Sequence, residues 1–205
     1  GAVDAKVSGR ITADGFQGSG RLASPSLELW GFRLSEVDLP FATTDEFVTV
    51  EGGKAKAYGG QVNLVGSVEM GKARWGARMN VSGADLAPAL KDALKTEGTI
   101  SGKADLFFRI SNEYGKAFLM DGSGSLKVRD GAIKDFKALE SLVSITGSPT
   151  IRYSSVNANF NIDGKSVFLL PGTRANSVPG DRFYRYLSVD GSVGEGGKLD
   201  LASYG

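Results

Sequence analysis

The sequence predicts a mainly β protein, in which about a dozen antiparallel strands form a meander that curves into an open groove or half-barrel. Three observations lead to this fold class. Apolar and polar residues alternate along most of the 205 residues, as they do in strands with one buried face. Glycine-containing turns separate these runs at the spacing of about 8 to 12 residues that is typical of all-β chains. Two short segments instead follow the helical period, so two short amphipathic helices complete the prediction.

The first part of the chain is predicted to form six strands joined by short turns, which makes them antiparallel. Their segments cover residues 3–11, 16–22, 27–39, 47–57, 62–70 and 75–81. Pro25 is expected to interrupt the second run, and the third is expected to end at Pro40. The pair Gly52-Gly53 predicts a bulge within the fourth strand.

The period changes to that of a helix between Asp85 and Lys95. Asp85 is placed at the N-cap, Pro88 falls in the first turn, where proline is tolerated, and Gly98 lies just past the end. The apolar stripe of this helix consists of Leu86, Leu90, Ala93 and Leu94.

The stretch from Leu106 to Val143 has the most individual character in the sequence. Two alternating runs, over 100–110 and 118–128, predict a pair of strands. Asp130-Gly131 predicts a tight turn after the second strand, because glycine accepts a positive φ. Asp135 can then cap the second helix. One side of that helix carries Phe136, Leu139, Leu142 and Val143.

Short strands are also predicted in the last part of the chain, over residues 156–162, 167–170, 183–193 and 199–201. Asp163-Gly164 forms the hairpin turn between the first two, and residues 171–180 form a loop. We treat residues 1–205 as a single domain with a weak internal repeat of strand, turn, strand and helix, at 62–98 and again at 118–147.

Composition excludes several classes of function. The 24 basic and 23 acidic residues, a net charge of +1, are interleaved without a patch, so no nucleic-acid partner is predicted. The chain has no histidine and no cysteine, which removes the commonest general base and nearly all transition-metal sites. We therefore predict a protein that is not an enzyme and that uses no cofactor or metal.

Three patterns that could suggest catalysis have structural interpretations. The carboxylate pairs Asp45 with Glu46 and Asp121 with Asp130 are typical of turns and caps rather than of a glycosidase. Residues 122–125, Gly-Ser-Gly-Ser, lack the following Gly-Lys-Ser/Thr of a phosphate-binding loop and lie inside a strand pattern.

The predicted apolar faces contain many small residues, among the chain's 29 glycines and its alanines. If two such faces were stacked, the voids would cost roughly 1 kcal/mol for each methyl-sized volume. A curved single sheet avoids this cost if acyl chains or an amphipathic helix fill its concave apolar face. Alternatively, glycine permits tight twist and close backbone contact, and the two helices fill the remaining space.

Alternation also selects candidate residues for lining such a groove. They are Leu64, Val68, Met79, Leu106, Phe108, Leu126, Val128, Phe160 and Ile162.

Several short motifs, taken in order, resemble the C-terminal region of AsmA-like proteins of the bacterial cell envelope. They are Tyr58-Gly59-Gly60, the segment 83–88, Ile100-Ser101-Gly102, the segment 122–131 and the closing hairpins from Tyr153 onward. The resemblance covers the chain from about residue 27, although the loop 171–182 has no counterpart in it.

This resemblance implies an extended β-groove related to bridge-like lipid-transfer proteins. Its implied partners are phospholipid or another acyl lipid and the inner membrane, reached through an N-terminal anchor that this chain, taken as a fragment, lacks. The implied location is the periplasm or cell envelope, and the implied role is phospholipid transport and outer-membrane homeostasis. The family has no catalytic residues.

Two other functional hypotheses belong to different classes. A related branch of the superfamily implies a protein-interaction module, in which an open sheet edge binds a strand of an outer-membrane or secreted protein during its assembly. A structural sandwich with a dry, fully packed centre and no ligand is the third hypothesis.

Overall fold

The structure is a computed structural model. It describes residues 3–13, 15–29, 31–72, 74–93, 99–113, 120–135, 147–164, 166–193 and 199–204. Within these ranges there are thirteen strands and one helix. The strands are β1 (Asp4–Thr12), β2 (Gly15–Leu29), β3 (Phe32–Thr44), β4 (Phe47–Ala57), β5 (Gly60–Glu69), β6 (Arg74–Asp85), β7 (Thr99–Glu113), β8 (Asp121–Lys134), β9 (Thr150–Asp163), β10 (Ser166–Leu169), β11 (Arg174–Ser177), β12 (Tyr186–Val193) and β13 (Leu199–Tyr204). The helix is α1 (Leu86–Ala93), between β6 and β7.

All thirteen strands belong to one antiparallel sheet that does not close into a barrel, which confirms the predicted fold class. From β1 to β10 each strand pairs with the next along the chain. β10 and β11 lie end to end between β9 and β12, and both pair with each of these strands. They therefore form one strand position that is interrupted at residues 170–173. β13 pairs with the other side of β12.

The sheet curves around helix α1, which contacts β3 and β7 as well as β6. Four strand spacings separate β3 from β7, about 19 Å in a flat sheet, whereas a helix is only about 10–12 Å across. The face that α1 covers must therefore be concave. Bulges support this curvature, since they bend a strand and increase its twist. One is the predicted bulge at Gly52-Gly53, where Gly52 has φ +72°, and another lies at Gly83 in β6.

The prediction of a single strand over residues 27–39 is wrong. β2 ends at Leu29 and β3 begins at Phe32, and the two pair as a hairpin in which Leu27 lies opposite Leu34. The two proline predictions are wrong as well, because β2 continues through Pro25 and β3 through Pro40. Each proline lies where a ladder is irregular. Pro25 is skipped in the β2–β3 pairing, although the register is the same on both sides of it, and Pro40 falls in an interruption of the β3–β4 pairing.

The predicted turn at Asp130-Gly131 is also wrong. β8 runs without a break from Asp121 to Lys134, and Asp130, with φ +51°, lies in a bulge of the ladder with β7, where residues 130 and 131 face Gly102 alone. Two residues that favour positive φ can form a bulge as readily as a turn. The predicted second helix, with Phe136 to Val143 on its apolar side, lies outside the described residues, as does Phe118.

The first predicted helix is confirmed over residues 86–93, whereas its predicted last part, with Leu94, Lys95 and the terminating Gly98, lies outside the described residues. α1 begins at Leu86, directly after the proposed cap Asp85, and Pro88 is its third residue. The last part of the chain needs two corrections. The predicted loop at 171–180 contains the short strand β11, and Phe183 precedes β12 instead of belonging to it.

Candidate functional site

All nine residues predicted to line a groove lie on one side of the sheet, which we call the apolar face. Directly opposite residues of antiparallel strands point to the same side. Pairing joins Leu64, Met79 and Phe108 in one row and Leu106 with Leu126 in the next. The same register brings in the remaining candidates, Val68, Val128, Phe160 and Ile162. The alternation in the sequence therefore corresponds to one continuous surface.

The opposite side, which we call the polar face, carries charged and hydroxyl side chains. Arg129 on β8 pairs with Asp105 on β7, with 2.7 Å between Nη2 and Oδ2. Lys103 pairs with Asp85 at 2.8 Å. These side chains are largely solvated, and the buried apolar side chains among the described residues lie on the apolar face.

The core of the described residues contains two separate clusters on the apolar face. The N-terminal cluster contains Val37, Ala55, Ala57 and Val62. The C-terminal cluster contains Leu86, Ala104, Val128, Ile151, Tyr153, Ala175 and Leu187, of which Val128, Tyr153 and Leu187 are each only 1% exposed. Each cluster is packed internally, but the two do not merge.

Between the clusters lies a cavity of about 220 Å³, which we call the α1 cavity. It is lined by Phe32, Leu34, Ala57, Tyr58, Val62, Met79, Val81, Ala84, Leu86, Ala89, Leu90, Ala104, Leu106, Phe108 and Leu126. Among these side chains, Tyr58 alone carries a polar atom. A space of this kind favours an apolar ligand over water, which needs two to four polar partners.

Helix α1 forms the roof of the cavity through Leu86, Ala89 and Leu90. These residues share one side of the helix at spacings of three and four residues. The helix is short, and isolated helices of this length are unstable in water, so it depends on its packing against the sheet.

A polar tether fixes α1 to β3. Asp92 on α1 binds Arg33 through two contacts, Nε to Oδ2 at 2.7 Å and Nη2 to Oδ1 at 2.9 Å. The Tyr58 hydroxyl donates to Asp92 Oδ2 at 2.9 Å and accepts the Arg33 backbone N–H at 3.0 Å. The Arg33 guanidinium, and next the Tyr58 hydroxyl, hold the pKa of Asp92 below its usual value. Burial is the main cause of the raised pKa of Tyr58.

Small residues on the apolar face have two different roles. At two of the glycines, an aromatic ring occupies the space of the missing side chain: an added Cβ would lie 2.4 Å from Phe160 Cζ at Gly124, and 2.6 Å from the Phe16 ring at Gly9. These glycines leave no void. The open volume lies beside alanines instead, namely Ala57, Ala84, Ala89 and Ala104. The sequence argument from small residues thus applies beside these four alanines and fails at Gly9 and Gly124.

The nine candidate residues divide into three groups in the structure. Met79, Leu106, Phe108 and Leu126 line the α1 cavity. Val128 is buried within the C-terminal cluster, and Phe160, 9% exposed, lies over Gly124. Leu64, Val68 and Ile162 are partly exposed on the same face but do not reach the cavity.

Sequence reasoning did not identify the opposite wall and the roof of the cavity. Phe32, Leu34 and Tyr58 come from the β3 and β4 ends, and Ala89 and Leu90 come from α1. Alternation shows which side of a strand a residue occupies, but it does not show that β3 and β7 approach a common helix. The helical stripe containing Leu86 and Leu90 was the available signal.

Comparison of the chain with protein-family models, with curated proteins and with solved structures finds no match. Membership of the AsmA-like family therefore remains a prediction from the motifs. Within the ranges that the structure covers, no helix is long and apolar enough to span a membrane. Those same ranges bring no three metal-ligating side chains together.

Proposed function

We propose that this chain binds the acyl chain of a lipid along its concave apolar face, with the end of the chain in the α1 cavity. The observation that carries the proposal is the wholly apolar opening between two packed clusters under an amphipathic roof. A lipid tail would join the two clusters into one continuous core.

The size and chemistry of the cavity support an acyl ligand. An apolar cavity of about 150 Å³ in another protein stays dry and takes up benzene, and this one is larger, at about 220 Å³. Burial of each methylene group contributes about 0.8 kcal/mol, so several methylenes suffice for measurable affinity. The rest of the tail would lie along partly exposed apolar side chains, including Leu64 and Val68.

The wider biological role is proposed from the motif resemblance. An AsmA-like domain in the periplasm, connected to the inner membrane through a segment outside this chain, would use the apolar face in phospholipid transport and outer-membrane homeostasis. The open, antiparallel groove-like sheet is compatible with that role, and the protein would act without catalysis.

Native mass spectrometry of the purified protein, followed by organic extraction, tests the proposal. We expect heterogeneous adducts of phospholipid mass on the wild type, and their loss from the double variant Leu106→Asp with Phe108→Asp. Phe107→Asp is the matched control, since Phe107 lies between the two on the polar face and is 36% exposed.

The double variant would also lose adducts if it unfolded, so Ala89→Phe provides a second test. Its ring would fill the cavity from the roof without placing a charge in the core. We expect a retained β-type far-UV spectrum and no adduct. A single bare mass for the wild type, or adducts that persist in Ala89→Phe, would contradict the proposal.

The exposed edge strand β1 favours a second candidate function, the assembly of outer-membrane or secreted proteins by β-augmentation. Val7 and Ile11 on β1 are 64% and 87% exposed, and β1 ends the sheet. Such an edge can accept a partner strand through backbone hydrogen bonds. A pull-down of an outer-membrane assembly partner tests this function. Support would come from binding that persists in Leu106→Asp with Phe108→Asp but is lost in Val7→Lys with Ile11→Lys.

A further inference from the structure

A second concave region, of about 600 Å³, lies on the polar face and is unrelated to the apolar ligand site. We call it the polar pocket. Its floor is formed by residues of β7, β8 and β9 that point to the polar face. Ala132 on β8 lies between Ser101 on β7 and Arg152 on β9. Next to this row, Lys134 on β8 lies opposite Thr150 on β9. Ile151 borders the pocket as well, although it belongs to the C-terminal cluster, and Tyr153 points to the other side, into that cluster.

The far wall of the polar pocket is the segment 178–184, between β11 and β12. Hydrogen bonds hold this segment in an arch. Asp181 Oδ1 accepts the backbone N–H groups of Phe183, at 2.8 Å, and of Tyr184, at 3.4 Å. The Tyr184 hydroxyl donates to the carbonyl oxygen of Arg152 and so connects the arch to the floor.

Opposite charges line the two walls. On the floor, Lys134 and Arg152 make no ion pair or side-chain hydrogen bond with any described residue, unlike Arg129 and Lys103 on the same face. Lys134 and Arg152 are diagonal neighbours on adjacent strands, close enough to contact one anion together. On the arch, Asp181 uses Oδ1 for backbone N–H groups, and its Oδ2 makes no hydrogen bond or ion pair with a described residue.

Aromatic side chains lie beside that carboxylate. Phe183, which is 63% exposed, and Tyr184 both line the pocket. An ammonium group within about 6 Å of an aromatic face is attracted by the ring, in addition to its attraction to a carboxylate. The arch therefore suits a cation, and the floor suits an anion. The volume lies within the usual range of about 300 to 1,000 Å³ for small-molecule sites.

We propose that the polar pocket binds a phosphate ester that also carries an amino group, a ligand of the phosphoethanolamine type. The phosphate binds Lys134 and Arg152, with the Thr150 hydroxyl as a further donor. The ammonium group binds Asp181 between the two aromatic rings. This site is on the opposite face from the α1 cavity, so it does not depend on the proposed binding of acyl chains.

Isothermal titration at low salt with O-phosphoethanolamine, inorganic phosphate and ethanolamine tests the assignment. We expect O-phosphoethanolamine to bind more tightly than either inorganic phosphate or ethanolamine alone.

Variants test the role of each wall of the pocket. Lys134→Gln with Arg152→Gln should weaken the binding of O-phosphoethanolamine at least tenfold. Asp181→Asn keeps an oxygen for the two backbone N–H groups, so it should weaken O-phosphoethanolamine binding and leave phosphate binding unchanged. Lys127→Gln, an exposed cation elsewhere on the polar face of β8, is the matched control.

A second experiment, which measures binding to vesicles that contain phosphatidylethanolamine, distinguishes two sources of the ligand. Binding to these vesicles as well as to the soluble ester would identify a lipid headgroup, and binding of the soluble ester alone would identify a free metabolite of that chemistry. Three results would each overturn the proposal. The first is that O-phosphoethanolamine at millimolar concentration gives no heat of binding, and the second is that phosphate and O-phosphoethanolamine bind with equal affinity. The third is that Lys127→Gln weakens the binding of O-phosphoethanolamine as much as Lys134→Gln with Arg152→Gln does.

Discussion

Gly131 shows how one missing side chain allows a hydrogen bond across three strands. Tyr153 on β9 extends over Gly131 on β8, and its hydroxyl donates to the Ser101 carbonyl oxygen on β7. Ser101 is next to the register step at Gly102, where the regular ladder is interrupted. The tyrosine hydroxyl thus supplies a hydrogen-bond donor to a backbone carbonyl next to the bulge.

Gly131→Ala is predicted to destabilise the protein strongly. The new Cβ would lie 2.0 Å from the Ser101 carbonyl oxygen and 2.3 Å from the Tyr153 hydroxyl oxygen. Overpacking of this kind typically costs about 1–3 kcal/mol. Gly71→Ala is the control, since an added Cβ at Gly71 meets nothing within 4 Å. Urea unfolding should show a clear drop in midpoint for the first variant and little change for the second. Equal midpoints would contradict the proposed packing.

The buried hydroxyl of Tyr153 leads us to expect a loss of stability at alkaline pH. Burial raises the pKa of Tyr153 from 10.0 to about 12, and burial followed by the nearby Asp181 charge raises the pKa of Tyr184 to about 12. Below about pH 10 both tyrosines are protonated in the folded and unfolded states, so their stabilisation is fully present. Between pH 10 and 12 only the unfolded state loses these protons, and the free energy of unfolding falls.

Tyr153→Phe separates this effect from the titration of lysines, which the variant leaves in place. Near pH 7 the variant should lose about 1 kcal/mol with the hydrogen bond to Ser101. Between pH 10 and 12 its free energy of unfolding should decline less steeply than that of the wild type. Parallel declines in the two proteins, measured by urea unfolding at each pH, would show that Tyr153 does not contribute.

At the scale of the element, α1 is held by contacts from strands that are distant in sequence. Its apolar side packs over the cavity, and Asp92 connects it to Arg33 and Tyr58. Since Arg33, and then Tyr58, lower the pKa of Asp92, the tether is present above the ordinary carboxyl pKa of 3.8. It should be lost as the pH falls through the lowered value.

Asp92→Ala is predicted to loosen α1 while the sheet remains folded. Hydrogen exchange of the amides in residues 86–93 should accelerate at neutral pH, and the wild type should approach the same rates in acid. Lys91→Ala, an exposed neighbour that makes no hydrogen bond or ion pair with the described residues, is the control. Unchanged exchange in Asp92→Ala would mean that apolar packing alone positions the helix.

Most strands were predictable because the sheet has one solvated face and one buried face, which imposes a period of two on the sequence. The errors occur where that period is broken. The β2–β3 hairpin and the bulge at Asp130 both depend on backbone conformation, and Asp-Gly is compatible with a turn or a bulge. Proline can lie within a strand where its absent N–H falls in a gap of the ladder.

The candidate site could be predicted only in part for a related reason. Alternation correctly placed Met79, Leu106 and Phe108 on one surface, because it reports the side of the strand. Whether a residue on that surface is packed, as Val128 is, or borders a cavity depends on the curvature of the sheet and on α1. Those are properties of tertiary structure that no single strand encodes.

At the scale of the whole molecule, stability is divided between two clusters that a cavity separates. In a meander most contacts join neighbouring strands, so a local loss of packing need not spread across the sheet. Proteins of this kind can open in parts, each with its own free energy. The N-terminal cluster, centred on β3 to β5, and the C-terminal cluster, centred on β7 to β12, are expected to behave as two such parts.

Leu187→Ala should therefore weaken one half of the sheet more than the other. Leu187 is 1% exposed, and leucine-to-alanine changes at such positions cost about 2–5 kcal/mol. Hydrogen exchange should accelerate in β8, β9 and β12 and change little in β3 to β5, whereas Val62→Ala should show the reverse pattern. Val65→Ala, on the polar face and 48% exposed, should alter neither half. Uniform acceleration of exchange across the sheet in both core variants would contradict the division into two parts.

Added lipid should couple the two clusters if an acyl chain fills the α1 cavity, because the ligand would contact both clusters at once. In the presence of lipid, the accelerated hydrogen exchange caused by Leu187→Ala should then spread into β3 to β5.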